Sequence, residues 1–479
     1  MKRLVVVSNR VSSFDKAAKA GGLAVAVGDT LKRSGGLWFG WNGDIAEEAG
    51  PETLKIRRTS QAQFATMPLT PKEHEAYYLG YANKVLWPVL HNRLDLAEFE
   101  GGFFDTYCDV NRKFAETLGP LLGPDDQVWI HDYHLIPLAR ELRRLGVESS
   151  LGFFLHIPFP PSEVFAAIPE HANLGEALMT HDLVGFQSEN DLSNFHDYVR
   201  KLGRGWIGSD GLFHAFRQTA SARSFPISID VQGFAEEAAN VDSEREAAKL
   251  RLKDNEISII GVDRLDYTKG LPQRFRAFGK FLDRHPERRG QVSLVQIAPP
   301  SREDLPAYVS IRKELERLSG AVNGAYGDVG WVPIRYIRRS LPRNSLAGLF
   351  RASRVGLVTP LRDGMNLVAK EYVAAQDPED PGVLILSRFA GAAEEMKEAL
   401  IVNPHDVENL CEAIAEAVAM PLEERKARHG ALMSRLETND VHRWAANFLA
   451  ALQRASDARL ALEGVDPQSR SMESPAASA

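Results

Sequence analysis

Val355-Gly356-Leu357-Val358-Thr359-Pro360-Leu361-Arg362-Asp363-Gly364-Met365-Asn366-Leu367-Val368-Ala369-Lys370-Glu371 passes from a short apolar run, through a polar turn, into helical spacing. Strand, loop and helix in that order are the unit from which a doubly wound parallel sheet is built. Gly364 permits a tight turn, Asn366 fits the N-cap, and Leu367 to Ala375 propagate a helix whose first amides point back at the strand ends. Such a helix start favours an anion, because free N–H groups and the helix dipole converge there.

The same rhythm recurs on both sides of this stretch. Leu4–Val7, Val128–Ile130, Leu151–Leu155 and Leu183–Phe186 form one series of short β-branched or aromatic runs. Ile257–Val262, Val292–Ile297, Val355–Val358, Val383–Leu386 and Leu400–Val402 form a second. With 479 residues the chain exceeds what one core supports, and roughly two domains of about 200 residues are expected, with a cleft between them. The fold class is therefore α/β, with two doubly wound Rossmann-like lobes. We place the first at residues 1–235 and the second at 236–455, where Pro421 to Ala455 reads as closing helix; residues 465–479, rich in Ser, Pro and Ala, read as a disordered tail.

Composition excludes several classes. Hydrophobic residues at 44% and charged residues at 25% describe a globular protein, and a formal charge of −7 argues against nucleic acid as a partner. Cys108 and Cys411 are far apart and have no CxxC neighbour, so neither a disulfide framework nor a zinc site is expected. The apolar run after Met1-Lys2-Arg3 is too short for a signal peptide, and no stretch of about 18 apolar residues could span a membrane. A cytoplasmic protein follows; a homo-oligomer is left open. Gly203-Arg204-Gly205-Trp206-Ile207-Gly208 matches G-x-G-x-x-G, yet the segment before it reads as helix where a dinucleotide fingerprint needs a strand, so it is read as a turn. Neither a P-loop nor a GxSxG elbow is present.

Ligands in open α/β sheets bind beyond the carboxyl ends of the strands. Those ends are polar here: Ser8-Asn9-Arg10, His131-Asp132-Tyr133-His134, His156-Ile157-Pro158, and Asp263-Arg264-Leu265-Asp266-Tyr267-Thr268-Lys269-Gly270. Arg264 and Lys269 are placed to neutralise a diphosphate at the helix that begins near Asn366, with Glu371 accepting from ribose hydroxyls. The rival reading makes Arg264, Lys269, Asp363 and Glu371 surface ion-pair residues. Imidazoles and a carboxylate are ordinary zinc ligands, but His131 and His134 lie at a strand end where their side chains need not converge, and no metal site is assigned.

The strings LVVVSNR, AGGLAV, GLWFGW, VLWP, WIHDYHL, GFFLHIPFP, RLDYTKGLP, QIAPPSR and VGLVTPLRDGMNLVAKEYVAAQ closely resemble the trehalose-6-phosphate synthase family, in one register from about residue 1 to 455. The resemblance implies a GT-B fold whose lobes face a central cleft, UDP-glucose as donor substrate, glucose 6-phosphate as acceptor, retention at the anomeric carbon, and no required metal or cofactor. Carried across, donor contacts fall on Gly21, Gly22, Arg264, Lys269, Leu341, Asp363, Leu367, Val368 and Glu371. Acceptor contacts fall on Arg10, Trp41, Tyr78, Trp87, Asp132, Tyr133 and Arg302. His156 matches a position beside the transferred sugar, and Arg264, Lys269, His156 and Asp363 form the catalytic set. The leaving diphosphate can take the acceptor proton, and a covalent intermediate on Asp363 is neither supported nor excluded by spacing. Rival readings are a same-fold enzyme using glycerol 3-phosphate or a cyclitol phosphate, a non-catalytic regulatory homologue, and a Rossmann oxidoreductase. No phosphatase domain follows the match, so the product is expected to stay phosphorylated.

Overall fold

Strands that are buried on both faces read as unbroken apolar runs. In the computed structural model, which describes residues 2–11, 27, 28, 30, 31, 35–209, 211–248, 256–303, 305–462 and 464, Leu183–Phe186 and Val355–Val358 are such strands. The first sheet contains β1 (Leu4–Arg10), β2 (Leu37–Ile45), β3 (Lys55–Arg58), β4 (Gln63–Leu69), β5 (Gln127–His131), β6 (Ser150–Phe154), β7 (Leu183–Phe186), β8 (Trp206–Ile207), β9 (Leu212–Ala215) and β10 (Gln218–Ser224). Its order is β3-β4-β2-β1-β5-β6-β7-β10-β9-β8. The run from β4 to β10 is parallel, and antiparallel hairpins close both edges.

The second sheet is wholly parallel and contains β11 (Ile257–Val262), β12 (Val292–Ile297), β13 (Ile334–Ile337), β14 (Val355–Val358), β15 (Val383–Ser387) and β16 (Leu400–Val402), in the order β13-β12-β11-β14-β15-β16. Chain order therefore reverses between β11 and β14 here, and between β1 and β5 in the first sheet. A reversal leaves a crevice beyond the strand ends, because the two following connections depart to opposite faces. Pairing of Ile259 with Val355 and Ile260 with Gly356 brings the loops after β11 and β14 side by side.

Helix α1 (Glu189–Lys201) starts at Ser188, whose hydroxyl accepts from the Asp191 amide, and ends just before Gly203. The glycine motif thus follows a helix and leads into β8, as a turn does. Four helices matter below: α2 (Leu271–Arg284), α3 (Pro306–Tyr326), α4 (Leu367–Ala375) and α5 (Leu422–Thr438). A fifth, α6 (Val441–Leu462), ends the described chain apart from residue 464.

By contacts the chain divides into Met1–Pro226 with His442–Ala479, and Ile227–Val441. The division differs from the expected boundaries at 235/236 and 455. The reason lies in α6, whose Phe448 ring stacks on Trp129 at 4.6 Å while Trp444 lies 4.8 Å from the same indole. Gly152 and Gly185 make room for that ring: a Cβ at either would come within 2.9 Å and 2.8 Å of Phe448. The helical segment read as closing the second lobe thus splits, with α5 in the second unit and α6 returning to the first. The expected tail at 465–479 lies outside the described residues.

Candidate active site

Gly270, at φ 66°, ends the loop after β11 by lying against the loop after β14; a Cβ there would meet the Thr359 carbonyl oxygen at 2.2 Å. The Leu361 amide donates to the Thr268 carbonyl at 2.7 Å, which locks the two loops together. Lys269 then reaches Asp363 Oδ2 at 2.5 Å, with both side chains largely buried. Two residues that the rival reading made surface ion-pair members thus do pair, but largely buried and not at the surface. Asn366 Nδ2 donates to the same Asp363 oxygen at 3.0 Å.

Asn366 occupies the N-cap of α4 as expected, but at φ 76° and with no side-chain cap. Its side chain turns instead towards Asp363 and Asp263, so the opening amides of α4, those of Leu367 and Val368, keep no partner within the helix. Asn366 Oδ1 is buried and has no hydrogen-bond partner among the described residues. Uncapped amides, a buried ammonium and an unused acceptor therefore meet at one helix start.

Beneath this cluster lies a buried scaffold that the sequence reading did not pick out. Arg274, on α2 and fully buried, bonds Thr359 Oγ1 at 2.8 Å, Gln296 Oε1 at 3.2 Å and the Lys269 carbonyl at 3.2 Å, and pairs with Asp263 at 2.7 Å. Asp266 accepts from the Thr268 amide and hydroxyl, both at 2.9 Å, and from Tyr308 Oη on α3 at 2.8 Å. Burial alone would raise the Asp266 carboxyl, but Arg302 at 3.5 Å and the Thr268 amide outweigh it and hold the group below its ordinary range. A third loop joins from β15: the Asp363 amide donates to the Phe389 carbonyl at 3.0 Å and the Ala392 amide to the Met365 carbonyl at 3.0 Å. The strand-end rule could have found it, since Arg388-Phe389-Ala390-Gly391 directly follows β15.

Glu371, one turn into α4, is half-buried, and burial pushes its carboxyl up to about 7 with Arg343 only partly opposing. Arg264 is exposed in the loop after β11, and Leu341 lies half-buried in the loop after β13. Gly21 and Gly22 lie outside the described residues.

In the first unit most of the expected acceptor residues form a continuous chain of rings. The Arg10 guanidinium sits 5.6 Å from the Trp41 ring; Trp41 is 5.5 Å from Tyr78; Tyr78 stacks on His134 at 5.9 Å; His134 lies 4.0 Å from Tyr133; and Tyr133 is 5.9 Å from Trp87. Gly43, at φ 93°, leaves space for Arg10, whose Nη2 would lie 2.6 Å from a Cβ there. Tyr78 lies on a π-helical segment, His74–Leu86. Asp132 begins the turn Tyr133–Leu135 at φ 77°, and its Oδ1 accepts from the His156 amide at 3.3 Å. Arg302, by contrast, belongs to the second unit, where Nη1 donates to Tyr308 Oη at 2.6 Å.

The two strand-end histidines weighed as metal ligands part ways. His131 Nδ1 lies 2.9 Å from His156 Nε2, whereas His134 joins the ring chain. Among the described residues no group of three or more His, Cys, Asp or Glu side chains is arranged to hold a metal ion. No helix among them is long and apolar enough to cross a membrane.

Residues 2–454 match Glycosyltransferase family 20. The trehalose-6-phosphate synthase of Sinorhizobium fredii is 49% identical over 461 residues, spanning 95% of this chain and 99% of that protein. A solved alpha,alpha-trehalose-phosphate synthase (UDP-forming) from Burkholderia xenovorans, in complex with glucose-6-phosphate, superposes with a TM-score of 0.91 at 48% identity, covering 94% of this chain and 100% of that one. An E. coli trehalose-6-phosphate structure bound with UDP-2-fluoro glucose gives a TM-score of 0.89 at 45% identity, over 94% of this chain and 99% of the other. A match over almost the whole length, at this identity and with the same two-sheet fold, means that the chain belongs to glycosyltransferase family 20.

Proposed function

We propose that this chain is a trehalose-6-phosphate synthase, transferring glucose with retention from UDP-glucose to glucose 6-phosphate to give alpha,alpha-trehalose 6-phosphate and UDP. The observation that carries the reading is the Lys269 ammonium, held by Asp363 beside the uncapped start of α4. A diphosphate at that place meets backbone donors, a helix dipole and a cation together. Arg264 adds a second cation, the Leu341 backbone contacts the base, and Glu371 takes the ribose hydroxyls. Gly21 and Gly22 complete the donor contacts.

The acceptor reading assigns glucose 6-phosphate to Arg10, Trp41, Tyr78, Trp87, Asp132, Tyr133 and Arg302. Aromatic faces suit sugar C–H groups, and arginine forks suit a phosphate. In the transfer the acceptor's anomeric hydroxyl attacks from the face that UDP leaves, and the departing β-phosphate takes its proton. Asp363 Oδ2 already accepts from Lys269 and Asn366, which favours a hydrogen-bonding part for this carboxylate over a nucleophilic one. No metal or cofactor is called for in these steps. The reading places the enzyme in the cytoplasm.

UDP release from UDP-glucose is expected only when a sugar phosphate is added, in a coupled assay that also offers ADP- and GDP-glucose as donors and glycerol 3-phosphate as acceptor. Equal turnover with unphosphorylated glucose would sink the reading.

Arg10→Ala and Arg302→Ala are each expected to raise KM for glucose 6-phosphate, by the roughly 1.5–3 kcal/mol of a charge-assisted contact. The two should differ in stability. Arg302 compensates the buried Asp266, so only its removal lowers the melting temperature as well. An unchanged acceptor KM in both variants removes them from the site.

Glu371 supplies a pH test. Its carboxyl is raised to about 7 in the folded protein, against roughly 4.3 in an unfolded chain. Between those values the folded state holds the extra proton, so this group's contribution to stability is full below the lower value and is lost as pH rises through the higher one. Glu371→Gln should therefore stabilise the protein more at pH 8 than at pH 4.5 in denaturant melts. An equal effect at both would show that the carboxyl is not raised.

A further inference from the structure

We infer that His131 is a positioning residue for the transfer, accepting the Nε2 proton of His156 so that His156 Nδ1 is left as a hydrogen-bond acceptor for a hydroxyl of the transferred sugar. The inference rests on the proposed function in one respect, the placing of His156 beside that sugar. The pairing itself stands on the geometry of the first sheet.

β5 ends at His131, and its register with β6 sets His131 opposite Phe154, two residues before His156. The Asp132 amide donates to the Phe154 carbonyl at 2.8 Å, and the His156 amide to Asp132 Oδ1 at 3.3 Å, so the two strand ends are stitched together where the rings meet. His131 is fully buried, with its ring 4.7 Å from Trp129 and 5.2 Å from His156. Nothing in this position needs a histidine for packing alone, since a buried imidazole carries two polar atoms that an apolar ring does not.

One amide sets the direction of the protons. Gln187 Nε2 donates to the His156 carbonyl at 3.5 Å and lies 3.4 Å from His156 Nδ1. An amide nitrogen offers only donors, so His156 Nδ1 accepts. A neutral imidazole carries one N–H, and in His156 it must then be on Nε2. That nitrogen is 2.9 Å from His131 Nδ1, which accepts in turn and leaves the His131 proton on Nε2, a buried atom with no hydrogen-bond partner among the described residues. Both rings stay neutral in the ordinary pH range, because burial pushes His156 down to about 3 and, helped by His156 itself, takes His131 well below its usual value. The chain is Gln187 to His156 to His131, each member donating to the next.

The contact between Gln187 and Nδ1 is the long one, near the limit for a hydrogen bond. A sugar hydroxyl can take its place at shorter range, provided that Nδ1 is still bare. Without His131 the Nε2 proton has no acceptor in a buried site, and the ring gains by moving its proton to Nδ1 once the Gln187 amide turns its oxygen towards it, where that proton would repel a donating hydroxyl.

Nitrogen-15 spectra of histidine-labelled, substrate-free protein test this first, with the His156 signals assigned from a His156→Gln variant. Nδ1 unprotonated and Nε2 protonated is the expected result; the reverse overturns the inference. Kinetics follow. His131→Leu should lower kcat/KM for UDP-glucose roughly five- to tenfold, the scale of one neutral hydrogen bond. His131→Asn, whose Oδ1 can stand where Nδ1 stands, should recover most of the loss. In a His156→Ala background His131→Leu should change nothing further, and a fully additive loss would mark His131 as structural only and overturn its role. Should His131→Leu fail to fold, the wild-type spectra and His131→Asn still decide, since a His131→Asn protein as slow as His156→Ala contradicts the acceptor role. A wild type that transfers nothing to glucose 6-phosphate defeats the proposed function and the positioning role with it, while the proton order read by the spectra stands or falls separately.

Discussion

Lys269→Ala is expected to lower kcat about 10²-fold or more, the scale of losing one preorganised electrostatic donor, and Arg264→Ala to lower it comparably. As the bond to the anomeric carbon breaks, negative charge grows on the β-phosphate. An interaction that strengthens with that charge lowers the barrier more than it lowers the ground state. Lys269 is suited to this because its ammonium is fixed before substrate arrives, by Asp363 on one side and by the Gly270 turn that presses its loop against Thr359 on the other. Lys269→Arg should not fully rescue, since a planar fork cannot occupy the place of a compact ammonium without displacing the phosphate. Steady-state kinetics with thermal melts decide the matter, and near wild-type kcat in well-folded Lys269→Ala and Arg264→Ala would defeat the assignment.

Arg274→Met should cost about 3–5 kcal/mol of stability, because it strips a fully buried carboxylate of its partner. Asp263 is already raised by burial, with Arg274 the largest opposing influence. Removal of the guanidinium also orphans Thr359 Oγ1, Gln296 Oε1 and the Lys269 carbonyl, the three groups that set the loops after β11 and β14 in place. A fall in melting temperature of roughly 10 °C is the expected reading for a unit of this size. The double variant with Asp263→Asn should regain a large part of it, since the uncompensated charge is then gone. A loss under about 1 kcal/mol in Arg274→Met, or no recovery in the double variant, would show that the pair does not hold these loops.

Much of this was legible from strand ends. β7, β11, β12 and β14 begin and end where the apolar runs do, because a strand buried on both faces has no alternation to blur its limits; the edge strand β16 does so too, with Ile401 exposed. β2 was missed, since Gly40 and Gly43 interrupt its aromatic residues, and β13 was missed because Arg335 sits inside four residues. Lys269, Asp363 and the start of α4 could be named from sequence, and so could the strand-end face they share; the direct contact of Lys269 with Asp363 could not. That depends on β11 and β14 being neighbours although β12 and β13 come between them in the chain. Arg274 was hidden for a related reason: on a helix rich in charge, Gln273-Arg274-Phe275-Arg276 gives no sign of which arginine turns inward.

The return of α6 to the first sheet has a consequence for how the chain is made. A ribosome releases residues in order, and domains ordinarily fold as they emerge, the N-terminal one first. Here the first unit is discontinuous, with the whole of Ile227–Val441 inserted into it. The cavity over Trp129, Gly152 and Gly185 cannot be filled until Phe448 has been synthesised, so the inserted unit is free to complete its fold first. A nascent chain arrested before residue 442 should accordingly hold a protease-resistant second unit and a protease-sensitive first one.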